Sequence, residues 1–161
     1  MSDQSSRNAE RPVIRIPTDE AMRELGRRLA AVLRAGDLVV LSGPLGAGKT
    51  TLTQGLGDGL KVRGPITSPT FVIARVHPSL AGGPPLVHAD AYRLGGLGEV
   101  DDLDLDLQDA VTVVEWGEGL VEELSDDRLE IIIQRGETEE RAVTLTGVGR
   151  RWTDTPIAHL L

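Results

Sequence analysis

Met22, Leu25, Leu29 and Leu33 recur three and four residues apart behind Thr18-Asp19-Glu20. That spacing predicts an amphipathic helix, capped by the Thr18 hydroxyl and stopped at Gly36. Acids in its first turn suit the positive end of the helix dipole. A short strand is expected ahead of it, at residues 13–16. Residues 38–41 are continuously apolar, as a buried parallel strand should be. This run feeds directly into a glycine-rich segment, and a second helix is expected over residues 49–60. Further strands are expected at 70–76, 86–92, 111–115, 129–134 and 142–146, with a loop at 64–69 and a turn at 81–85. Helices and strands alternate in the first half and strands dominate the second. The pattern predicts one α/β domain with a mixed, mostly parallel sheet flanked by helices.

Composition narrows the class. The chain has 161 residues, 40% of them hydrophobic and 26% charged, enough for one domain with its own core. The aromatics are only Phe71, Tyr92, Trp116 and Trp152, so the core must be aliphatic. With no Cys, disulfides and thiolate metal sites are excluded, and His77, His88 and His159 are a thin basis for a zinc centre. No apolar run approaches the ~18 residues of a membrane span, and the polar first residues hold no signal-peptide core. A cytoplasmic location is the expectation. The net charge of −8 is the wrong sign for a chain that captures nucleic acid unaided.

The glycine-rich segment carries the chemistry. Residues 43–50 read GPLGAGKT, the phosphate-binding loop signature, between an apolar strand and a helical segment. Gly43, Gly46 and Gly48 stand where the backbone must turn tightly and approach phosphate closely. Backbone amides from Leu45, Gly46, Ala47 and Gly48, with Thr51 in the helix behind, would then face an anion. Lys49 would reach the β- and γ-phosphates of ATP, and the Thr50 hydroxyl would ligate Mg2+. The fold expectation sharpens to a P-loop NTPase-like domain over residues 13–149, with a disordered N-terminus at 1–12 and a tail at 150–161.

Such a site needs a carboxylate at the end of a neighbouring strand, to hold magnesium or orient a water. VTVVE at residues 111–115 is an apolar strand that ends in Glu115. HADAYR at 88–93 places His88, Asp90 and Tyr92 on one face of a strand by period 2. There Asp90 is a second magnesium or water ligand, oriented by His88 and Arg93; a half-solvated strand is the plainer alternative. Trp116, beside Glu115, is a candidate for packing on the nucleotide base, against the alternative of a core tryptophan. TSPTF at 67–71 offers Thr70 as a sensor of the γ-phosphate, against a simple proline turn. DLDLDL at 102–107 imitates a calcium loop but fails it, with Leu107 and Val113 at the positions that need Gly and Glu.

GPLGAGKTT, SPTF, HADAYR and VVEW, in that order and at these intervals, resemble the TsaE (YjeE) family over about residues 13–146. The resemblance implies an ATPase subunit of the bacterial tRNA threonylcarbamoyladenosine machinery. Its partners would be transferase subunits of TsaD and TsaB type, with tRNA reached only through the complex. By motif, it implies that Lys49 contacts phosphate, that Thr50 and Glu115 hold magnesium, and that Asp90 supports hydrolysis. It puts Trp116 near the nucleotide and Asp19, at the entrance to the first helix, near the base. The chain departs from the family pattern at Gly117, at Leu105 and Leu107, and at Glu140-Arg141.

Rival readings have specific requirements. A GTPase selects guanine with an Asn-Lys-x-Asp loop, and the one Asn here is Asn8. A small-molecule kinase carries an Arg-rich lid, and residues 77–85 are too short and neutral to be one. A nucleotide-gated binding subunit without meaningful turnover stays open on sequence alone.

Overall fold

In chain order the elements are β1 (Val13–Ile16), α1 (Asp19–Ala30), β2 (Leu38–Ser42), α2 (Lys49–Leu60), β3 (Ala74–His77), β4 (Leu86–Asp90), β5 (Val111–Glu115), β6 (Arg128–Arg135), β7 (Arg141–Val148) and α3 (Arg150–Thr153). A computed structural model provides this description, for residues 13–44, 48–62, 64, 66, 74–90, 108–115, 127–136, 138 and 140–153. The strands form one seven-stranded sheet in the order β1-β7-β6-β2-β5-β4-β3. Pairings β6–β2, β2–β5 and β5–β4 are parallel, while β1–β7, β7–β6 and β4–β3 are antiparallel. Because two antiparallel steps restore direction, β1 runs with the central four, and five of the seven strands point the same way. The sheet is mixed and mostly parallel, as the sequence pattern predicts.

Strand β2 sits at the centre because it is apolar on both faces: Leu38, Val39, Val40 and Leu41 are all buried. Val39 and Leu41 join Val111, Val113, Leu129, Ile131 and Ile133 in a single core with Met22, Leu25 and Leu29 of α1 and Leu52 and Leu56 of α2. Both long helices therefore cover the same face of the sheet. Thr18 caps α1, its hydroxyl accepting from the Ala21 amide at 3.1 Å, with Asp19 and Glu20 in the first turn.

The helix ends at Ala30 and not at Gly36. The Gly36 amide, which a continuing helix would give to Val32, bonds instead to the Ala110 carbonyl at 2.9 Å. The Val32 carbonyl accepts from Arg151 at 2.6 Å. Gly36, at φ 93, completes the turn into β2.

Helix α2 contains Gly55, Gly57 and Gly59, which weaken a helix in isolation. Packing holds it. A Cβ on Gly55 would fall on the Arg23 carbonyl, and one on Gly26 would lie 2.7 Å from the Leu56 amide. Helices α1 and α2 thus meet backbone to backbone, closer than any side chain would permit.

Trp152 of α3 is buried in the core at 4% exposure, so the first residues of the expected tail are part of the folded body. Of the described helices, none is long and apolar enough to cross a membrane.

Candidate phosphate and metal site

The two long helices begin differently. The N-terminus of α1 carries a hydroxyl cap and two acids. That of α2 carries no side-chain cap and no acid in its first turn. Its orphan amides and the positive end of its dipole are left without a neutralising group from these residues, and that is the electrostatic definition of an anion site. Gly48 is the N-cap at φ 111, a conformation an L side chain rarely adopts, and its own Cβ position lies 3.2 Å from Met22 Cε. The backbone conformation is what requires glycine there.

Lys49, the first residue of α2, is 6% exposed and donates from Nζ to the Gly43 carbonyl at 2.9 Å. The ammonium thereby reaches back to the residue that opens the glycine-rich segment. Thr50 and Thr51 follow in the first turn, both half-buried. Thr53 is turned inward, its hydroxyl donating to the Lys49 carbonyl at 2.8 Å. Asp19 is exposed at the start of α1, one turn ahead of Met22, and Met22 touches Gly48. The start of α1 therefore lies beside the end of the loop.

Glu115 ends β5 in register with Leu41 of β2, two residues before Gly43. On the other side its register partner is Asp90, the last residue of β4. The sheet brings the ends of three parallel strands to one level: the loop strand and the two strands that terminate in candidate carboxylates. Period 2 puts Glu115 on the face of Val111 and Val113, under the helices. Its residue exposure is 5%.

His88 is fully buried, and its Nε2 stands 2.9 Å from Glu115 Oε2. An ionised carboxylate only accepts, so Nε2 is the nitrogen that carries the hydrogen. The sequence pattern assigns His88 to orienting Asp90; the contact the structure shows for it is with Glu115. The register explains why. His88 pairs with Val113, so Glu115 lies two residues further along the same face of the adjacent strand. No spacing within HADAYR could reveal that cross-strand neighbour.

Among the described residues Glu115 Oε1 has no hydrogen bond, which leaves this oxygen open to a ligand. A hard cation suits an open carboxylate oxygen, and Thr50, in the first turn of α2, carries an oxygen of the kind magnesium takes. Leu45, Gly46, Ala47, Thr70 and Trp116 lie outside the described residues, as do Tyr92 and Arg93.

Comparison with known proteins identifies relatives of the whole described body. Residues 16–143 match the family model described as threonylcarbamoyl adenosine biosynthesis protein TsaE. The tRNA threonylcarbamoyladenosine biosynthesis protein TsaE of Streptomyces coelicolor is 69% identical over 146 residues, covering 86% of this chain and 99% of that protein. The protein of the same name from Bacillus subtilis is 39% identical over 136 residues, covering 83% and 84%. Among solved structures, the crystal structure of Bacillus subtilis YdiB superposes with a TM-score of 0.75 at 33% identity, covering 93% of each chain.

Proposed function

The chain belongs to the TsaE family, and from that premise we propose that it binds and hydrolyses MgATP in support of tRNA threonylcarbamoyladenosine formation. Its relatives' name ties them to biosynthesis of that modified nucleoside. The observation that carries the nucleotide reading is the start of α2. A buried lysine stands at a helix N-terminus with neither an acid in its first turn nor a side-chain cap. A helix N-terminus of that kind is a ready site for phosphate, and a lysine beside it adds a cation for the same anion.

In this reading Lys49 exchanges its bond to the Gly43 carbonyl for the β- and γ-phosphates. The amides of Leu45, Gly46, Ala47 and Gly48, with Thr51, hold the α- and β-phosphates. Thr50 and Glu115 hold Mg2+, with Asp90 as a further magnesium or water ligand. Bound there, the ion would neutralise charge on the phosphates. Asp90 and Glu115 orient the attacking water, Thr70 senses the γ-phosphate, and Asp19 and Trp116 flank the base. Hydrolysis by the chain alone is slow. Partners of TsaD and TsaB type supply the transferase chemistry and hold the tRNA, in the cytoplasm.

Calorimetry tests the nucleotide reading. Lys49→Ala should lose most MgATP affinity while its circular dichroism stays that of the parent, since a charge-assisted phosphate contact is among the strongest available. Parental affinity in that variant would refute it.

A further inference from the structure

We propose that His88 is a positioning residue for the Glu115 carboxylate, fixing which of its oxygens is presented to magnesium. This rests on the reading of Glu115 as a magnesium carboxylate, and adds to it a residue that acts without touching ion or nucleotide. A glutamate has three side-chain torsions, and ordering them costs entropy unless a second contact holds the head group. His88 supplies one. It rises from β4 directly beneath the β5 terminus, is 0% exposed, and donates Nε2–H to Oε2 at 2.9 Å. That bond occupies Oε2 and leaves Oε1, without a hydrogen bond among the described residues, as the ligand oxygen. Hydrogen bonds of this kind to a ligating carboxylate orient it and set its strength as a ligand.

A second feature argues for a role beyond packing. His88 Nδ1 is buried and has no hydrogen-bond partner among the described residues. Leaving a buried polar atom unsatisfied is unfavourable. An apolar side chain would fill this interior position without that penalty. The imidazole is explained by the one bond that it does make. It also ties β4, which ends at Asp90, to β5 at the level where both strands end.

The test separates hydrogen bond from volume. In His88→Gln the amide nitrogen can reach about where Nε2 stands; in His88→Asn it reaches only about as far as Nδ1. Calorimetry of ADP with and without magnesium, and of manganese binding to the ADP complex, gives cation affinity apart from nucleotide affinity. His88→Asn should leave magnesium-free ADP affinity within about twofold and weaken cation affinity by ~10-fold or more, the usual loss for such a partner. His88→Gln should recover most of it. In a Glu115→Gln background His88→Asn should cost nothing further. Unchanged cation affinity in His88→Asn, equal losses in Asn and Gln variants that both fold, or additive losses with Glu115→Gln would each overturn the proposal. If the parent chain binds ADP without any response to magnesium, the magnesium reading of Glu115 fails, and this inference with it. If Glu115→Gln alone weakens the cation and His88→Asn does not, only the inference fails.

Discussion

Arg151 grips Asp37 in a two-pronged ion pair, Nε to Oδ1 at 2.8 Å and Nη2 to Oδ2 at 2.9 Å, across 114 residues of chain. Both side chains are almost enclosed, at 10% and 5% exposure. Asp37 Oδ2 also accepts the Arg34 amide at 2.8 Å, and Arg151 reaches the Val32 carbonyl and lies 4.4 Å above the Trp152 ring. One guanidinium therefore closes the turn between α1 and β2 and pins α3 onto it. Fork geometry of this kind is what arginine offers and lysine does not.

Removing the guanidinium leaves a buried carboxylate with the Arg34 amide as its donor among the described residues, the case in which breaking an ion pair hurts most. Arg151→Ala should lower unfolding free energy by about 3 kcal/mol, measured by urea denaturation. The pair stands at the start of β2, and the phosphate loop leaves its other end. Nucleotide affinity of the folded variant should accordingly match the parent's. A loss under about 1 kcal/mol would put the pair in the class of surface bridges.

The contact between α1 and α2 makes a second claim on stability. Elsewhere in a helix Gly→Ala is favourable by about 1 kcal/mol. At Gly55 the added methyl would fall on the Arg23 carbonyl, a backbone atom that cannot swing aside. Overpacking of this kind typically costs about 1–3 kcal/mol. Gly55→Ala should destabilise the fold in thermal melts, and because Met22 of α1 touches Gly48, parting the helices should also loosen the phosphate loop and weaken ATP binding. Stabilisation by Gly55→Ala would mean that the helices stand further apart.

The same two regions mark how far the sequence could be read. Strand β5 and helix α2 fall at the residues that periodicity predicts, because a fully apolar run and a glycine-loop-to-helix junction are local signals. The helix-facing core residues Met22, Leu25 and Leu29 are equally legible. The end of α1 was not, since it is decided by Ala110 and Arg151, both remote in sequence. Trp152 carried no pattern of its own, and its burial follows from the anchoring of Arg151. At the candidate site, motif order names Lys49, Thr50 and Glu115, and strand register sets Glu115 level with the end of β2. The His88–Glu115 contact depends on strand register, which no spacing within one segment encodes.

Binding and chemistry should part company at Glu115. Glu115→Gln keeps the shape of the side chain and its hydrogen-bonding reach toward His88, but removes the charge that would hold magnesium. Single-turnover ATP hydrolysis should fall by ~100-fold or more, the scale on which metal or electrostatic groups act in such sites. Nucleotide affinity without magnesium should change little. Undiminished hydrolysis would reduce Glu115 to the end of a strand.

Dependence on partners follows from charge. Phosphate neutralisation supplies most of the affinity of proteins for nucleic acid, and a chain at −8 repels a tRNA backbone at long range. Two of its arginines are already neutralised within the fold, Arg27 by Glu20 and Glu24 and Arg151 by Asp37. A role in modifying tRNA is then reconciled with the surface only if another protein holds the RNA, and ATP on this chain governs that protein. The expected behaviour is weak ATPase activity alone and MgATP-dependent association with transferase subunits of TsaD and TsaB type. Threonylcarbamoyl transfer to adenosine 37 should pass a single turnover only when this chain is present, and Lys49→Ala or Glu115→Gln should each stop it there. Radiolabelled threonine incorporation per transferase, followed over time, reads this directly. Repeated turnover without this chain would sink the proposal, and so would tight, salt-sensitive binding of tRNA by this chain on its own.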